Sequence, residues 1–181
     1  MQRFILTTGP ALLHEVPLKE IHHERNIYRI NGAHGSTCDI ETSIREIRKQ
    51  VPGAEILVDL PGNKVRTKNL PDGAITVENG KKFSVPSECF NYDKFFKNLK
   101  PGMTVWANDS IFQFEVVSSN EKEIVFLSKS DGVLINNKGI HVREILEGVP
   151  FLFEKDMQLI DLANKWEIDF VGLSFVRTPQ N

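Results

Sequence analysis

Four apolar runs, each followed at once by polar residues, organise the two ends of the chain. They span residues 3–10, 27–36, 55–67 and 169–177. Apolar runs that end in Gly, Asn, His, Asp or Arg are typical of buried parallel strands with functional loops at their carboxyl ends. Six polar side chains are then expected to converge at one edge of the sheet, as a site for an anionic, phosphorylated ligand. They are Arg29, Asn31, His34, Asp59, Arg66 and Arg177.

Helical periodicity fills the connections between these runs. Residues 16–23 predict a short helix, residues 39–50 a longer one with Thr37 or Asp39 as N-cap, and residues 154–166 a third. The β-α-β-α-β order predicts parallel strands joined by right-handed crossovers. Two apolar stripes are expected to face the sheet: Ile40, Ile44, Ile47 and Val51 on the second helix, and Met157, Ile160, Ala163 and Trp166 on the third.

The pattern changes between residues 68 and 147. Asp-Gly, Asn-Gly and Pro-Gly pairs separate short alternating runs, which predicts an all-β insert, either a small barrel or a sandwich. The expected strands are 74–77, 82–85, 104–106, 111–117, 123–127 and 132–135. The chain is therefore expected to be α/β, with half of a (β/α)₈ barrel or a truncated doubly wound sheet around the insert. Both arrangements leave open sheet edges, so we expect the fold to be incomplete by itself.

Composition narrows the function classes. The 181 residues carry 22 Lys and Arg against 24 Asp and Glu, so no basic field indicates nucleic acid as a partner. Cys38 and Cys89 form neither a disulfide framework nor a metal motif, which favours free thiols and a reducing cytoplasm. No run approaches the ~20 apolar residues of a membrane span, so no membrane association is expected.

Two loops carry the candidate chemistry. Residues 30–36 lead from a strand into a helix, and their glycines and the helix N-terminus favour an anion, with Arg29 able to grip phosphate bidentately. An ordinary strand-to-helix turn with a surface arginine remains the alternative. Asp59 ends a buried strand, where a carboxylate needs a cation or a partner, or it simply caps the turn. Lys64 and Arg66 alternate with a valine and are expected to project to one side.

Lys138 lies beside a glycine at the end of the insert, where it is expected either to reach a phosphate or to belong to an ordinary turn.

All these segments together resemble the pyruvate kinase family. The matching segments are 6–11 (family motif CTIGPAS), 29–35 (RxNFSHG), 56–67 (LLDTKGPEIRT), 132–139 (GxLxxxKGVN), and 153–156 with 169–177 (LTEKDxxDL…DFIALSFVR).

The resemblance implies a fold. Residues 1–67 and 148–181 would form the first four strands of a partial (β/α)₈, TIM-type barrel, the family's A domain. Residues 68–147 would form the inserted all-β B domain, which covers the active site of the family as a mobile lid. The resemblance also implies the glycolytic reaction, in which phosphoenolpyruvate passes its phosphoryl group to ADP, giving pyruvate and ATP.

Site roles follow from the same resemblance. Arg29 is the candidate catalytic residue, and the activating potassium ion would be held by Asn31, Asp59 and the carbonyl of Leu60. Mg²⁺ or Mn²⁺ is expected as the family's essential divalent ion. Such enzymes work by positioning the phosphoryl group and neutralising its charge. The positions that match nucleotide- or phosphate-binding residues are Arg29, Asn31, His34, Arg66 and Lys138.

The chain departs from the family pattern in places. Ala33 replaces a potassium-binding serine, Lys64 stands where potassium-dependent members have glutamate, and Asn108-Asp109-Ser110 replaces the usual DDG. These departures predict that potassium is not required, with Lys64 supplying the charge instead. The family's catalytic lysine and its divalent-metal Glu and Asp lie on later strands, so no residue here matches them.

Three interpretations remain open at this point. The chain is the N-terminal half of a pyruvate kinase-like phosphotransferase, inactive as this chain alone. Or it is a non-catalytic nucleotide- or phosphate-binding subunit that completes its barrel with a partner chain. Or two copies close a ring as a homodimer with altered chemistry. Under each interpretation the expected ligands are ADP, ATP or phosphoenolpyruvate. The expected partner is a second barrel half or another copy of this chain.

Overall fold

The computed structural model describes residues 2–92, 94–142, 149–176 and 179. The chain forms two compact units: residues 1–63 with 151–181, and residues 64–150. The sequence places the same two boundaries at 67/68 and 147/148. In chain order the elements are β1 (Phe4–Thr7), α1 (Pro10–His14), α2 (Leu18–Ile21), β2 (Asn26–Asn31), α3 (Thr37–Gln50), β3 (Glu55–Asp59), β4 (Val65–Arg66), β5 (Ala74–Val77), β6 (Lys82–Pro86), β7 (Thr104–Ala107), β8 (Phe112–Ser119), β9 (Glu123–Ser128), β10 (Gly132–Ile135), β11 (Gly139–His141), α4 (Glu154–Lys165) and β12 (Phe170–Gly172).

The first unit contains a parallel sheet in the order β1-β2-β3-β12. All its neighbouring strands run parallel, which confirms the strand arrangement predicted from the apolar runs. The register pairs Asn31 with Asp59, and Asp59 with Gly172 on the other side. The polar ends of β2, β3 and β12 therefore meet at one edge of the sheet.

Helix α3 packs its predicted apolar stripe into the core. Ile40, Ile44, Ile47 and Val51 are buried, together with Tyr28, Ile30, Ile56 and Val58 of the sheet. The predicted N-cap at Thr37 or Asp39 is wrong, because Ser36 caps the helix. Its hydroxyl accepts from the Asp39 amide at 3.2 Å, and the Asp39 carboxylate accepts from the Ser36 amide at 2.7 Å. This capping box satisfies the amides that open the helix.

Helix α4 turns part of its predicted face inward: Ala163 is buried, and Ile160 and Trp166 pack partly buried against the core. Leu159, Leu162 and Ala163 are buried, whereas Met157 is 49% exposed. Met157 precedes Leu159 by two residues, about 200° around the helix axis, so both cannot face the sheet. The segment predicted as one helix over 16–23 is also different. It contains only the single turn α2, and the preceding residues 10–14 form a helix, α1, that the sequence did not predict.

The second unit is all-β, as expected. Six strands form an antiparallel sheet in the order β4-β11-β7-β8-β9-β6, and β10 pairs with β5 in a second, two-stranded sheet. Each strand predicted for this segment is present with its ends shifted by at most a few residues. Strands β4 and β11 were not predicted, since two and three residues are too few to show alternation. In its core the rings of four phenylalanines pack against one another: Phe83, Phe112, Phe114 and Phe126.

Both outer strands of the parallel sheet expose large apolar side chains. Phe4 and Ile5 on β1 are 49% and 57% exposed, and Val171 on β12 is 40% exposed, with Leu173 just beyond it at 50%. Exposed apolar edge strands are surfaces for pairing with another chain. No helix in the described ranges is long and apolar enough to cross a membrane.

Candidate functional site

An ion pair joins the polar ends of β2 and β3. Nε and Nη2 of Arg29 both donate to Oδ2 of Asp59, at 3.0 and 2.5 Å, and Nη1 donates to Oγ1 of Thr7 at 3.1 Å. The two charged side chains are 28% and 22% exposed. Asp59 thus holds the guanidinium in one orientation at the edge of the sheet. This pairing provides the partner that a carboxylate at the end of a buried strand requires.

The predicted potassium ligands are adjacent, but the side-chain oxygens of Asn31 and Asp59 already have protein partners. Oδ1 of Asp59 accepts from the hydroxyl of Ser174 at 3.2 Å. The side-chain oxygen of Asn31 accepts from the amide of Ala33 at 3.0 Å. The sequence analysis assigns to Lys64 the role of balancing the negative charge of Asp59. In this unit the cation paired with Asp59 is instead Arg29.

The glycines near this edge serve close packing. A Cβ on Gly32 would lie 2.6 Å from Cδ1 of Leu159 and 2.7 Å from the Asp59 carbonyl oxygen. Gly62 has a φ of +66°, and a Cβ there would lie 2.8 Å from the Ser174 carbonyl oxygen. Gly32 therefore permits close packing within this unit, and its lack of a side chain is explained without a ligand. The space next to it is filled by the helix and the neighbouring strand.

Asp156 anchors the loop after β3, a role that the sequence analysis missed. This carboxylate is fully buried and accepts from the amide of Gly62 at 2.9 Å and from that of Phe153 at 2.7 Å. It ties the loop that follows Leu60 to the first turn of α4. The available signal was the third-position Asp of a helix start, which is a common capping position.

A cavity of about 1150 Å³ opens beside Asn31 and the exposed His34. Its walls come from residues 7–10, from residues 13 and 15–17, and from one face of α3. Three carboxylates, Glu15, Asp39 and Glu46, line it, and its described lining includes no lysine or arginine. Hydrogen bonds from the amide and hydroxyl of Ser36 lower the pKa of Asp39, which keeps that carboxylate charged. The negative charge of these carboxylates does not support the predicted anion preference at the N-terminus of α3.

A second cluster of predicted residues lies in the unit 64–150. Nζ of Lys64 is 3.0 Å from Oδ1 of Asp109, in a pair whose lysine is 26% and whose aspartate is 83% exposed. The Lys64 ammonium lowers the pKa of Asp109, and the charges of Arg66 and Lys138 act in the same direction. The three predicted cations of this unit thus act on one carboxylate.

Arg66 is only partly satisfied. Its Nη1 donates to the Asn137 carbonyl at 3.4 Å, while its buried Nε has no hydrogen-bond partner within the described ranges. Burial lowers the pKa of this guanidinium. Lys138 is fixed through its backbone, whose amide donates to Oγ1 of Thr67 at 2.9 Å and whose carbonyl accepts from the Thr67 amide at 3.0 Å. The cationic heads of Arg66 and Lys138 therefore remain candidates for an anion.

The predicted site residues fall into two groups. Arg29, Asn31, His34, Asp59 and Leu60 belong to the unit with the parallel sheet, and Lys64, Arg66 and Lys138 to the all-β unit. Arg177, also predicted at the sheet edge, lies outside the described residues. Across the described ranges, no group of three or more His, Cys, Asp or Glu side chains is arranged to hold a metal ion.

The model of the pyruvate kinase barrel domain matches residues 2–181. The chain belongs to the pyruvate kinase family. This confirms the resemblance read from the sequence motifs. It also covers both units, including the all-β segment.

Similar proteins include pyruvate kinases of Clostridium perfringens, 28% identical over 99% of this chain and 41% of the relative, and of Thermotoga maritima, 26% identical over 99% of this chain and 41% of the relative. The crystal structure of Cryptosporidium parvum pyruvate kinase superposes with a TM-score of 0.85 at 22% identity. That match covers 97% of this chain and 40% of the other. The chain therefore spans about two fifths of the pyruvate kinases that it resembles.

Proposed function

We propose that this chain is the N-terminal part of a pyruvate kinase-like phosphotransferase. The parallel sheet would be the first four strands of a (β/α)₈ barrel, and residues 64–150 the inserted all-β domain. The reaction would transfer the phosphoryl group of phosphoenolpyruvate to ADP, giving pyruvate and ATP in cytoplasmic glycolysis. The observation that carries the proposal is the family match over residues 2–181 in one continuous run.

Arg29 would be the catalytic cation supplied by this chain. Asp59 and Thr7 hold its guanidinium in place, so its charge is oriented before any ligand arrives. A guanidinium fixed in this way neutralises phosphoryl oxygens without reorganising during the reaction. Asn31 and His34 line the cavity beside this sheet edge and would bind the nucleotide there.

The cavity beside His34 suits the uncharged part of a nucleotide. Its volume of about 1150 Å³ is at the upper end of ordinary ligand sites. Its three carboxylates repel phosphate groups, whereas hydroxyls and amino groups can donate to them. We therefore place the nucleoside in the cavity and a phosphate on Arg29 of the same unit. Arg66 and Lys138 are candidate phosphate ligands within the all-β unit.

Potassium would not be required. A potassium ion beside Asp59 would meet the Arg29 charge, and two unit charges ~4 Å apart repel by roughly 4 kcal/mol at an effective dielectric of about 20. Mg²⁺ or Mn²⁺ remains expected for a phosphotransferase of this family. The described side chains do not offer a set of ligands for it, so no catalytic step is assigned to a divalent ion here.

The proposal is tested by binding and turnover measured separately. We expect ADP to bind to the purified chain in calorimetry, without pyruvate formation from phosphoenolpyruvate in a coupled assay. Turnover is expected when the chain is co-expressed with the remaining three fifths of a pyruvate kinase relative. Absence of both ADP binding and reconstituted turnover would reject the phosphotransferase assignment.

A non-catalytic subunit is the second candidate. The exposed Phe4, Ile5 and Val171 at the outer strands favour a partner chain or a second copy that completes the barrel. In that case ADP binds in the completed assembly, but no combination of divalent ion and substrate gives pyruvate. The same co-expression experiment separates the two candidates.

A further inference from the structure

The turn between β7 and β8 has an unusual backbone. Asn108, Asp109 and Ser110 have φ values of 51°, 54° and 71°, so three successive residues other than glycine lie in the left-handed region. Such positions are costly and persist where the surrounding structure holds them. Here the Asn108 amide donates to the carbonyl of Gly139 at 3.0 Å, which ties the turn to the start of β11. The backbone thus fixes the position from which the Asp109 side chain leaves the turn.

The ladder around this turn brings three cations to the same place. Strand β11 lies between β4 and β7, with Gly139 opposite Arg66 and Ile140 opposite Ala107. Lys138 precedes this strand and Lys64 precedes β4. The neighbouring strands β4, β11 and β7 therefore bring four groups close together: Lys64, Arg66, Lys138 and the turn that presents Asp109.

Gly139 lets Lys64 reach the turn. A Cβ at Gly139 would lie 2.2 Å from Cε and 2.8 Å from Nζ of Lys64, so the lysine side chain crosses the glycine directly. Its ammonium then lies 3.0 Å from Oδ1 of Asp109. Since no side chain stands between them, the pair depends on a glycine at this position.

The single carboxylate of Asp109 faces three cationic side chains, so this cluster carries an excess of positive charge. Arg66 adds a buried Nε without a hydrogen-bond partner in the described part of the chain. The Asp109 side chain is 83% exposed, and ion pairs this exposed are weak and screened by salt. A ligand with two or more negative charges can therefore displace Asp109 from the cluster.

We propose that Asp109 is the resident anion of a phosphate site formed by Lys64, Arg66 and Lys138. It occupies the site in the free chain and gives way to the phosphate of the ligand, so it limits how tightly phosphate binds. The inference rests on the proposed function in taking Arg66 and Lys138 as phosphate ligands. It adds Lys64 as a third ligand and Asp109 as their built-in competitor.

The test uses the full 181-residue chain and inorganic pyrophosphate as the probe, titrated by calorimetry. Asp109→Asn removes the charge, and asparagine tolerates the left-handed region. Asp109→Gly does the same at a position where glycine carries no strain. Asp72→Asn is the matched control, since Asp72 is an exposed aspartate with a φ of 52° in the same unit.

We expect both Asp109 variants to bind pyrophosphate about two- to fivefold more tightly, the factor set by releasing one exposed ion pair. The gain should disappear at 1 M salt, and Asp72→Asn should bind like the parent chain. Lys64→Gln should weaken binding. Equal or weaker binding by the Asp109 variants, or an equal gain by Asp72→Asn, overturns the inference.

Absence of pyrophosphate binding by every variant also overturns it. That outcome is distinct from failure of the proposed function, which is judged by ADP binding and by turnover of the co-expressed assembly. Pyrophosphate binding with the expected ranking, but without turnover, would support the phosphate site and leave a binding subunit as the function.

Discussion

Arg29 and Asp59 close the carboxyl ends of two neighbouring strands with a double hydrogen bond, from Nε at 3.0 Å and Nη2 at 2.5 Å to one carboxylate oxygen. The same arginine donates to Thr7 on a third strand. A single guanidinium thereby links the ends of β1, β2 and β3. The pair serves the fold and, in the proposed reaction, orients the charge that meets the phosphoryl group.

Replacing Asp59 by asparagine should destabilise the chain by about 1–2 kcal/mol. The change leaves the Arg29 charge half-buried without its partner, and the cost is below that of a fully buried pair because both side chains retain solvent contact. Urea denaturation measures the difference. Asp161→Asn, on the exposed face of α4, is the control, and an equal loss in both variants would contradict the role of the pair.

Potassium should have no specific effect on ADP affinity. Calorimetry in potassium, sodium and tetramethylammonium salts at matched ionic strength measures it, and a tenfold gain in potassium alone would refute the argument from Arg29. Arg29→Gln should behave differently, because it leaves Asp59 unbalanced. In that variant we expect a potassium-specific rise in the thermal unfolding midpoint that the parent chain lacks.

Glu41 links α3 to α4 and should make stability depend on pH in the acid range. Its Oε1 accepts from Arg45 at 2.9 Å, Lys165 at 3.0 Å and Trp166 at 3.1 Å. The Arg45 hydrogen bond, followed by that of Lys165, lowers the pKa of Glu41 from 4.5 to about 2. Because the folded pKa is depressed, its stabilisation is present above about pH 4.5 and is lost as the pH falls toward 2.

The stability difference between the parent chain and Glu41→Gln should therefore be largest near neutral pH and shrink below pH 4.5. Chemical denaturation at a series of pH values measures it. Glu20→Gln, at an exposed position in the first unit, is the control. A difference that stays constant from pH 7 to pH 2.5 would show that the Glu41 contacts do not depend on its charge.

The four parallel strands could be predicted because each is a mostly apolar run followed by polar residues, and α3 because its isoleucines repeat with the helical period. The short strands β4 and β11 carry too few residues to show any period, although they bring Arg66 next to Gly139. On α4 the prediction was wrong for Met157 and missed Leu159 and Leu162, because Met157 is as apolar as the leucines that are buried. Periodicity alone does not choose between overlapping stripes.

The site was predicted as a set of positions, and its pairings were not. The strand ends indicated that Arg29 and Asp59 share an edge, but the same residues fit a ligand as well as each other. Lys64 and Asp109 lie 45 positions apart, and their contact depends on the ladder between β4, β11 and β7. Such pairs follow from tertiary register, which no local pattern in the sequence reports.

The last prediction concerns the outer strands of the parallel sheet. Ile5 and Val171 are 57% and 40% exposed on strands whose outer backbone edges are available for pairing. Burying such side chains yields roughly 25 cal/mol per Å² of apolar surface, so we expect the purified chain to self-associate in sedimentation velocity at high concentration.

Lysine on an edge strand opposes pairing by adding charge. Ile5→Lys and Val171→Lys should therefore shift the distribution toward monomer, while Val133→Lys, at a 52% exposed position in the all-β unit, should not. A single monomer peak for the parent chain would reject association through the edges. An equal shift by Val133→Lys would assign association to net charge, because that substitution adds the same charge in the other unit.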